Sequence, residues 1–124
     1  MAGLHTESQE NYIETIFILS KKKPVVRSVD IAKELGYKKP SISIAMKALK
    51  EQELITVTEE GYIYLTDEGL KIAKSVYDRH LVLTDLLKSL GVSESVAEED
   101  ACRIEHVISE ETFKAIKKHF KAKN

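Results

Sequence analysis

The stretch EEDACRIEHVIS, residues 98–109, concentrates the most distinctive chemistry of the chain in Cys102, Glu105 and His106. At helical spacing these stand at i, i+3 and i+4. A sulfur, a carboxylate and an imidazole can then converge on one ion, a donor set suited to a divalent transition metal. The same triplet admits a plainer reading, with Cys102 as core filling, Glu105 facing water and His106 satisfied by a local hydrogen bond. Further donors fall at compatible positions: Asn11 and Glu14, three apart near the start, and His80, midway along a long apolar-patterned segment. Each of these alone is a commonplace residue of a helix. A site that gathered ligands from three helices would link elements that are otherwise separate. Cys102 is the single cysteine, which excludes an internal disulfide and leaves a buried thiol, a reactive thiol or a ligand. There is no HExxH pair, no paired-cysteine finger and no glycine-rich phosphate loop, so catalysis is not expected.

The elements that must position these residues read mainly as helices. Tyr12, Ile13, Ile16, Phe17 and Leu19 recur on a 3.6-residue period over residues 6–20. After Lys21 to Pro24, Val25 and Val26 form a short extended piece, and the Ser28 hydroxyl is placed to cap a second helix running through Val29, Ile31, Ala32 and Leu35. Gly36 supplies the turn, and Pro40 opens a third helix, where the absent N–H costs no hydrogen bond. Two helices about four residues apart are the spacing of a helix-turn-helix. The period then changes. ITVTEEGYIYLT predicts a hairpin, Ile55 to Thr58 and Tyr62 to Leu65 around Glu59, Glu60 and Gly61, so the whole reads as a winged helix. Thr66 caps a long helix over 67–90 that Gly91 stops. Another helix starts at Ser93 or Ser95 and reaches about Val107, and a last amphipathic one carries Phe113, Ile116 and Phe120. The expected fold class is mainly α, a winged helix-turn-helix over 1–73 followed by a helical metal-binding and dimerisation domain over 74–124.

If Ile42, Met46 and Leu49 turn the third helix inward, its opposite arc presents Lys39, Ser43, Ile44 and Lys47, flanked by Lys38 and Ser41. The lysines suit phosphates, the serines suit phosphates or base edges, and Ile44 suits a thymine methyl. The helix interior holds no Arg or Gln for bidentate base recognition. An ordinary solvated lysine face is the bland alternative for any one of these positions. At the wing tip, Glu59 and Glu60 would repel a backbone.

Composition agrees only when read locally. The formal net charge is -1, but residues 21–50 carry nine Lys or Arg against Asp30 and Glu34, whereas Glu94, Glu98, Glu99 and Asp100 form an acidic cluster. One part attracts phosphates while another attracts cations. With 43% apolar and 31% charged residues, the chain has the composition of an ordinary globular protein. No apolar run is long enough to span a membrane and the start MAGLHTESQENY lacks a signal pattern, so a cytoplasmic placement is expected, with no membrane partner.

The sequence resembles the DtxR/MntR family of iron- and manganese-dependent transcriptional repressors. The likeness runs from NYIETIF through VDIAKELGYKKPSISIAMKALKEQELI and the LTDEG exit of the wing to YDRH and CRIEHVIS. YDRH together with CxxEH is its most specific part. The resemblance implies a ligand set drawn from Asn11, Glu14, His80, Cys102, Glu105 and His106. Asn11 stands where the manganese branch has an acidic residue and the iron branch a methionine. Cys102 follows the iron branch, and Glu14, His80, Glu105 and His106 match the manganese pattern. Thr84 and Glu98 replace two accessory-site ligands, which leaves a second site altered or absent. The resemblance is to the short two-domain form, and an SH3-like third domain is not expected.

The function this resemblance implies is that of a repressor binding operator double-stranded DNA as a homodimer, with Fe2+ or Mn2+ as corepressor and Co2+, Zn2+ or Ni2+ able to substitute in vitro. The thiolate tips the expectation toward iron. The apolar surplus of Leu81, Leu83, Leu86, Leu87 and Leu90 is the sequence basis for pairing. A metal-independent winged-helix regulator would bind DNA equally well with a chelator present. A winged-helix protein-interaction module would show no salt-dependent DNA association.

Overall fold

The computed structural model describes residues 6–123, which fall into two compact units, residues 6–74 and 75–123. Among the described residues six helices and one hairpin are arranged in the order α1 Glu7–Lys22, α2 Ser28–Leu35, α3 Lys39–Glu51, β1 Ile55–Val57, β2 Ile63–Leu65, α4 Asp67–Ser89, α5 Glu94–Ile104 and α6 Glu110–Lys123. No helix among the described residues is long and apolar enough to cross a membrane.

In the first unit a capping box starts α1. The Thr6 hydroxyl accepts the Gln9 N–H and the Gln9 side chain accepts the Thr6 N–H, each at 3.1 Å. The start of α2 differs from expectation. Ser28 is already its first helical residue, the cap is Arg27, and the Arg27 N–H is satisfied by Asp30 Oδ2 at 2.9 Å. Asp30 also pairs with Lys23 Nζ at 2.9 Å. These two interactions hold its carboxyl below the usual range, the Lys23 hydrogen bond contributing most and the Arg27 N–H next. A third-position carboxylate near a positive helix terminus outcompetes a serine hydroxyl for that role. Gly36 closes α2 with φ 70°, and its N–H reaches the Ala32 carbonyl.

Val25 and Val26 do not form a strand, but the buried Val26 offers its carbonyl to the Ile63 N–H at 2.8 Å and so extends the wing by one rung. The hairpin is antiparallel, with Ile55 opposite Leu65, Thr56 opposite Tyr64 and Val57 opposite Ile63. Its turn is shorter in strand and longer in loop than the sequence predicts, because Thr58 and Tyr62 bond across the turn outside the regular ladder. Arg27 donates to the Tyr62 hydroxyl at 3.2 Å and stacks on its ring, bracing the wing against the start of α2. Ile13, Ile16, Val26, Ile31, Ile42, Leu49, Ile55 and Ile63 form the core, each almost wholly removed from water. Burial on this scale contributes about 2–3 kcal/mol per large aliphatic side chain.

Thr66 ends the wing and starts α4. Its hydroxyl donates to the Glu53 carbonyl at 2.8 Å and accepts the Gly69 N–H at 3.1 Å. The second unit comprises the rest of α4 with α5 and α6, and buries Val76, Leu83, Ala97, Ala101 and Phe113. Leu83 therefore belongs to the protomer's own interior and Leu86 and Leu87 are half-buried. Among the described residues of this unit the large apolar side chains left exposed are Leu81, Leu90, Val96 and Val107, a shorter list from α4 than the periodicity predicts and a longer one beyond it.

Candidate metal centre and nucleic-acid interface

The triplet of the second unit converges, though not on a helix as the spacing suggests. α5 ends at Ile104, Glu105 is its C-cap, and His106 stands in the turn beyond it. Convergence survives because Glu105 keeps helical dihedrals, φ -57° and ψ -26°, with its N–H bonded to the Ala101 carbonyl at 2.9 Å. One donor atom from each of Cys102, Glu105 and His106 lies within 4.8 Å of the others. Cys102 and His106 are half-buried and Glu105 is fully buried.

His80, from α4, meets the Glu105 member of this group. Its Nδ1 is 2.8 Å from Glu105 Oε1, and when Glu105 serves as a carboxylate, which only accepts, the ring donates from Nδ1. A neutral ring in that tautomer carries its lone pair on Nε2. A carboxylate bonded to one ring nitrogen is the usual way that a ligating histidine is fixed. The other oxygen, Glu105 Oε2, is buried with no hydrogen-bond partner among the described residues. An orphaned carboxylate oxygen costs several kcal/mol unless a cation or proton meets it. Thiolate, imidazole and carboxylate are the donors that a divalent transition metal accepts, so the residues fit one.

Asn11 and Glu14 lie one turn apart on α1, in the first unit, Asn11 half-buried and Glu14 buried. The Asn11 carbonyl accepts the Thr15 hydroxyl at 2.8 Å. The two residues that replace accessory ligands differ in setting. Thr84 is buried with no hydrogen-bond partner for its hydroxyl among the described residues, and Glu98 faces water. The acidic cluster around it is a solvated face in which Glu94 meets Lys88 and Glu99 approaches Arg103.

On α3 the expected faces are realised. Ile42, Met46 and Leu49 are buried, while Lys38 at the N-cap and Lys39, Ser41, Ser43, Ile44 and Lys47 on the helix are all exposed. Ile44, at 72% exposure, has no structural reason within the protomer to be apolar. A groove lined by Arg27, Ser28, Val29, Lys39, Ser43, Glu60 and Gly61 runs between the starts of α2 and α3 and the turn of the wing. Glu60 places a negative charge in that wall, which disfavours a phosphate close to the wing tip.

Sequence reasoning passes over Arg79. Its Nη1 donates to the carbonyls of Glu105 at 3.1 Å and Ile108 at 3.2 Å, and its Nη2 meets Glu110 at 3.2 Å. The only sequence trace of it is its place in YDRH, next to His80.

A winged helix-turn-helix with a basic, open third helix, followed by a helical unit in which thiol, carboxylate and imidazole donors meet, defines a metal-responsive DNA-binding regulator. The chain belongs to the iron-dependent repressor family: residues 5–63 match its N-terminal DNA binding domain and residues 66–122 its metal binding and dimerisation domain. It is 35% identical over 108 residues to the transcriptional regulator MntR of Escherichia coli, an overlap covering 87% of this chain and 70% of that one. An HTH-type transcriptional regulator of Methanocaldococcus jannaschii is 30% identical over 115 residues, covering 90% and 91%. Among solved structures, the IdeR protein of T. acidophilum superposes with a TM-score of 0.77 at 25% identity, over 90% of this chain and 53% of that one, so the chain spans about half of its length. The chain is accordingly a metal-dependent transcriptional repressor of the DtxR/MntR family and not an enzyme.

Proposed function

We propose that the chain binds operator DNA as a homodimer when loaded with Fe2+ or Mn2+, and that Asn11, Glu14, His80, Cys102, Glu105 and His106 are the ligand set. The observation that carries this reading is Glu105, fully buried, with one oxygen held by His80 and the other without a partner among the described residues. Asn11 and Glu14 enter by the family pattern. A bound divalent ion supplies positive charge and a fixed meeting point for these donors. Glu105 supplies the buried negative charge, His80 is oriented by it, and Cys102 supplies the soft donor that favours iron over manganese. Residues 1–73 form the DNA-binding domain and 74–124 the metal-binding and dimerisation domain. The protein works in the cytoplasm, where reduced thiols persist.

In this reading the ion sets the arrangement of a pair of α3 helices in the homodimer. Two such helices must meet successive major grooves about 34 Å apart. Only a difference in ion affinity between competent and incompetent arrangements can drive that change, and such couplings amount to about 5–150-fold. Among the described residues of the second unit, Leu81, Leu90, Val96 and Val107 are exposed apolar side chains available for pairing. The test is operator binding under anaerobic conditions, titrated with Fe2+, Mn2+, Co2+, Zn2+ or Ni2+ and compared with a chelator control. Equal affinity with and without chelator is the result that would replace this reading by a metal-independent regulator.

Two expected outcomes belong to the individual residues. Cys102→Glu replaces a soft donor by a hard one and shifts the ion ranking toward Mn2+, read from competition between Mn2+ and Co2+ for one site; an unchanged ranking removes Cys102 from the ligand set. Lys39→Ala weakens DNA binding evenly across sequences and lowers the slope of log affinity against log salt by about 1, since a lysine at a phosphate releases about one counterion. A change of preferred sequence with the slope unchanged would place Lys39 on a base instead. Ser41 and Ser43 contact phosphates or base edges, Ile44 a thymine methyl, and Lys38 and Lys47 flanking phosphates.

A further inference from the structure

α5 ends at Ile104, so the carboxylate of Glu105 and the imidazole of His106 stand on a stretch whose carbonyls have no continuing helix to hold them. The chain supplies a substitute from α4. Arg79 Nη1 bridges the carbonyls of Glu105 and Ile108, at 3.1 and 3.2 Å, and so grips both ends of the turn that contains His106. The same guanidinium extends to α6, with Nη2 on Glu110 Oε2 at 3.2 Å and the charged plane 5.6 Å from the centre of the Phe113 ring. Its side chain is only 14% exposed.

This is an uneconomical way to stabilise a fold. A largely buried guanidinium is costly to desolvate, its Nε–H is buried with no acceptor among the described residues, and an apolar side chain of similar volume often serves as well. What an apolar side chain cannot do is fix two carbonyls at once. A planar fork of donors can, whereas the ammonium of lysine is a single point charge on a flexible stem.

We propose that Arg79 is the positioning residue of the metal centre: by holding the Glu105 and Ile108 carbonyls it sets the turn so that the Glu105 carboxylate and the His106 ring present their donors to one ion together with Cys102. It does not touch the ion. The inference rests on the reading of Cys102, Glu105 and His106 as ligands. Its partners on α6, Glu110 and Phe113, make the placement of that helix part of the same support.

The test uses the full chain loaded anaerobically with Co2+, whose visible absorption reports ligand geometry and thiolate bonding. Arg79→Lys keeps the charge and Arg79→Met keeps the bulk. Both are expected to retain the far-UV circular dichroism of the parent without metal. Both are also expected to lose Co2+ affinity by about 10–100-fold, the usual range for losing the support of a ligand, with altered ligand-field bands. Arg79→Lys is expected not to restore either property. Co2+ affinity and spectrum equal to the parent's in both variants would overturn the proposal, and so would loss of the fold in both, which would make Arg79 a structural residue. Glu105→Gln separates the two layers: a parent spectrum that survives that substitution defeats the ligand assignment itself, whereas a spectrum lost in Glu105→Gln but intact in the Arg79 variants defeats only the role given to Arg79.

Discussion

Glu105→Gln is expected to abolish the stimulation of DNA binding by metal while leaving the protein without metal folded. The substitution is nearly isosteric, so the oxygen that accepts from His80 Nδ1 at 2.8 Å can be kept. What disappears is the negative charge on a fully buried side chain whose second oxygen has no hydrogen-bond partner among the described residues. In the absence of an ion that charge is a burden, and its removal leaves the thermal midpoint of the metal-free protein close to the parent's or above it. In the presence of an ion the charge is the main attraction, and ion affinity falls by about 100-fold or more, beyond the range for residues that only support a ligand. Operator affinity with saturating metal then drops to the metal-free level, a loss of about 5–150-fold. Operator titrations with and without Mn2+, paired with melting of the metal-free protein, check both halves. Retained stimulation would exclude Glu105 as a ligand, and a large fall in metal-free stability would show that its charge serves the fold instead.

Gly69→Ala should damage the DNA-binding unit far more than a glycine-to-alanine change in a helix normally could. Alanine ordinarily gains about 1 kcal/mol over glycine inside a helix. At Gly69 an added methyl would lie 2.1 Å from the Leu54 carbonyl oxygen and 3.1 Å from its carbon. The backbone there cannot withdraw. The Leu54 carbonyl accepts the Thr66 N–H at 3.1 Å, the Leu54 N–H is bound to Leu49, and Glu53 before it is already at φ 60° and holds the Thr66 hydroxyl. Overpacking against a fixed backbone costs about 3 kcal/mol, which for a unit of this size lowers the melting midpoint by about 10–20 °C. Gly61→Ala is the control, since no atom lies within 4 Å of its added methyl and only the φ of 87° is strained. A Gly69→Ala protein as stable as the parent would mean that the junction of wing and α4 is looser than these contacts require.

Gly69 also shows where sequence reading stops. LTDEG marks the exit of the wing and the opening turn of a helix, and Thr66 caps that helix as expected. That Gly69 is there to let Leu54 approach depends on a contact fifteen positions away, which no local pattern encodes. The α3 faces are legible because burial at Ile42, Met46 and Leu49 follows helical period alone. The start of α2 is not, for the opposite reason: Ser28 and Asp30 both carry capping oxygens, and the choice between them turns on Lys23, which adds a second partner for the carboxylate.

The candidate metal centre divides in the same way. Cys102, Glu105 and His106 stand out by type and spacing, and the structure brings their donors together. The end of α5 at Ile104 is not legible, since RIEHVIS holds no glycine or proline to stop a helix and continues the apolar rhythm. Arg79 is hidden because its acceptors are backbone carbonyls, which have no side-chain signature. The exposed apolar surface is legible in kind but not in membership: Leu83 turns inward, and Val96 and Val107 lie outside the long-helix pattern.

The most direct measurement is anomalous diffraction from crystals of the chain grown with Mn2+ or Co2+ under anaerobic conditions. The account predicts an anomalous peak within bonding distance of Glu105, His106 and Cys102, with Glu105 Oε2 turned onto the ion. A metal-saturated crystal with no peak between those three side chains, or with the peak held by the acidic face of α5 instead, would contradict it.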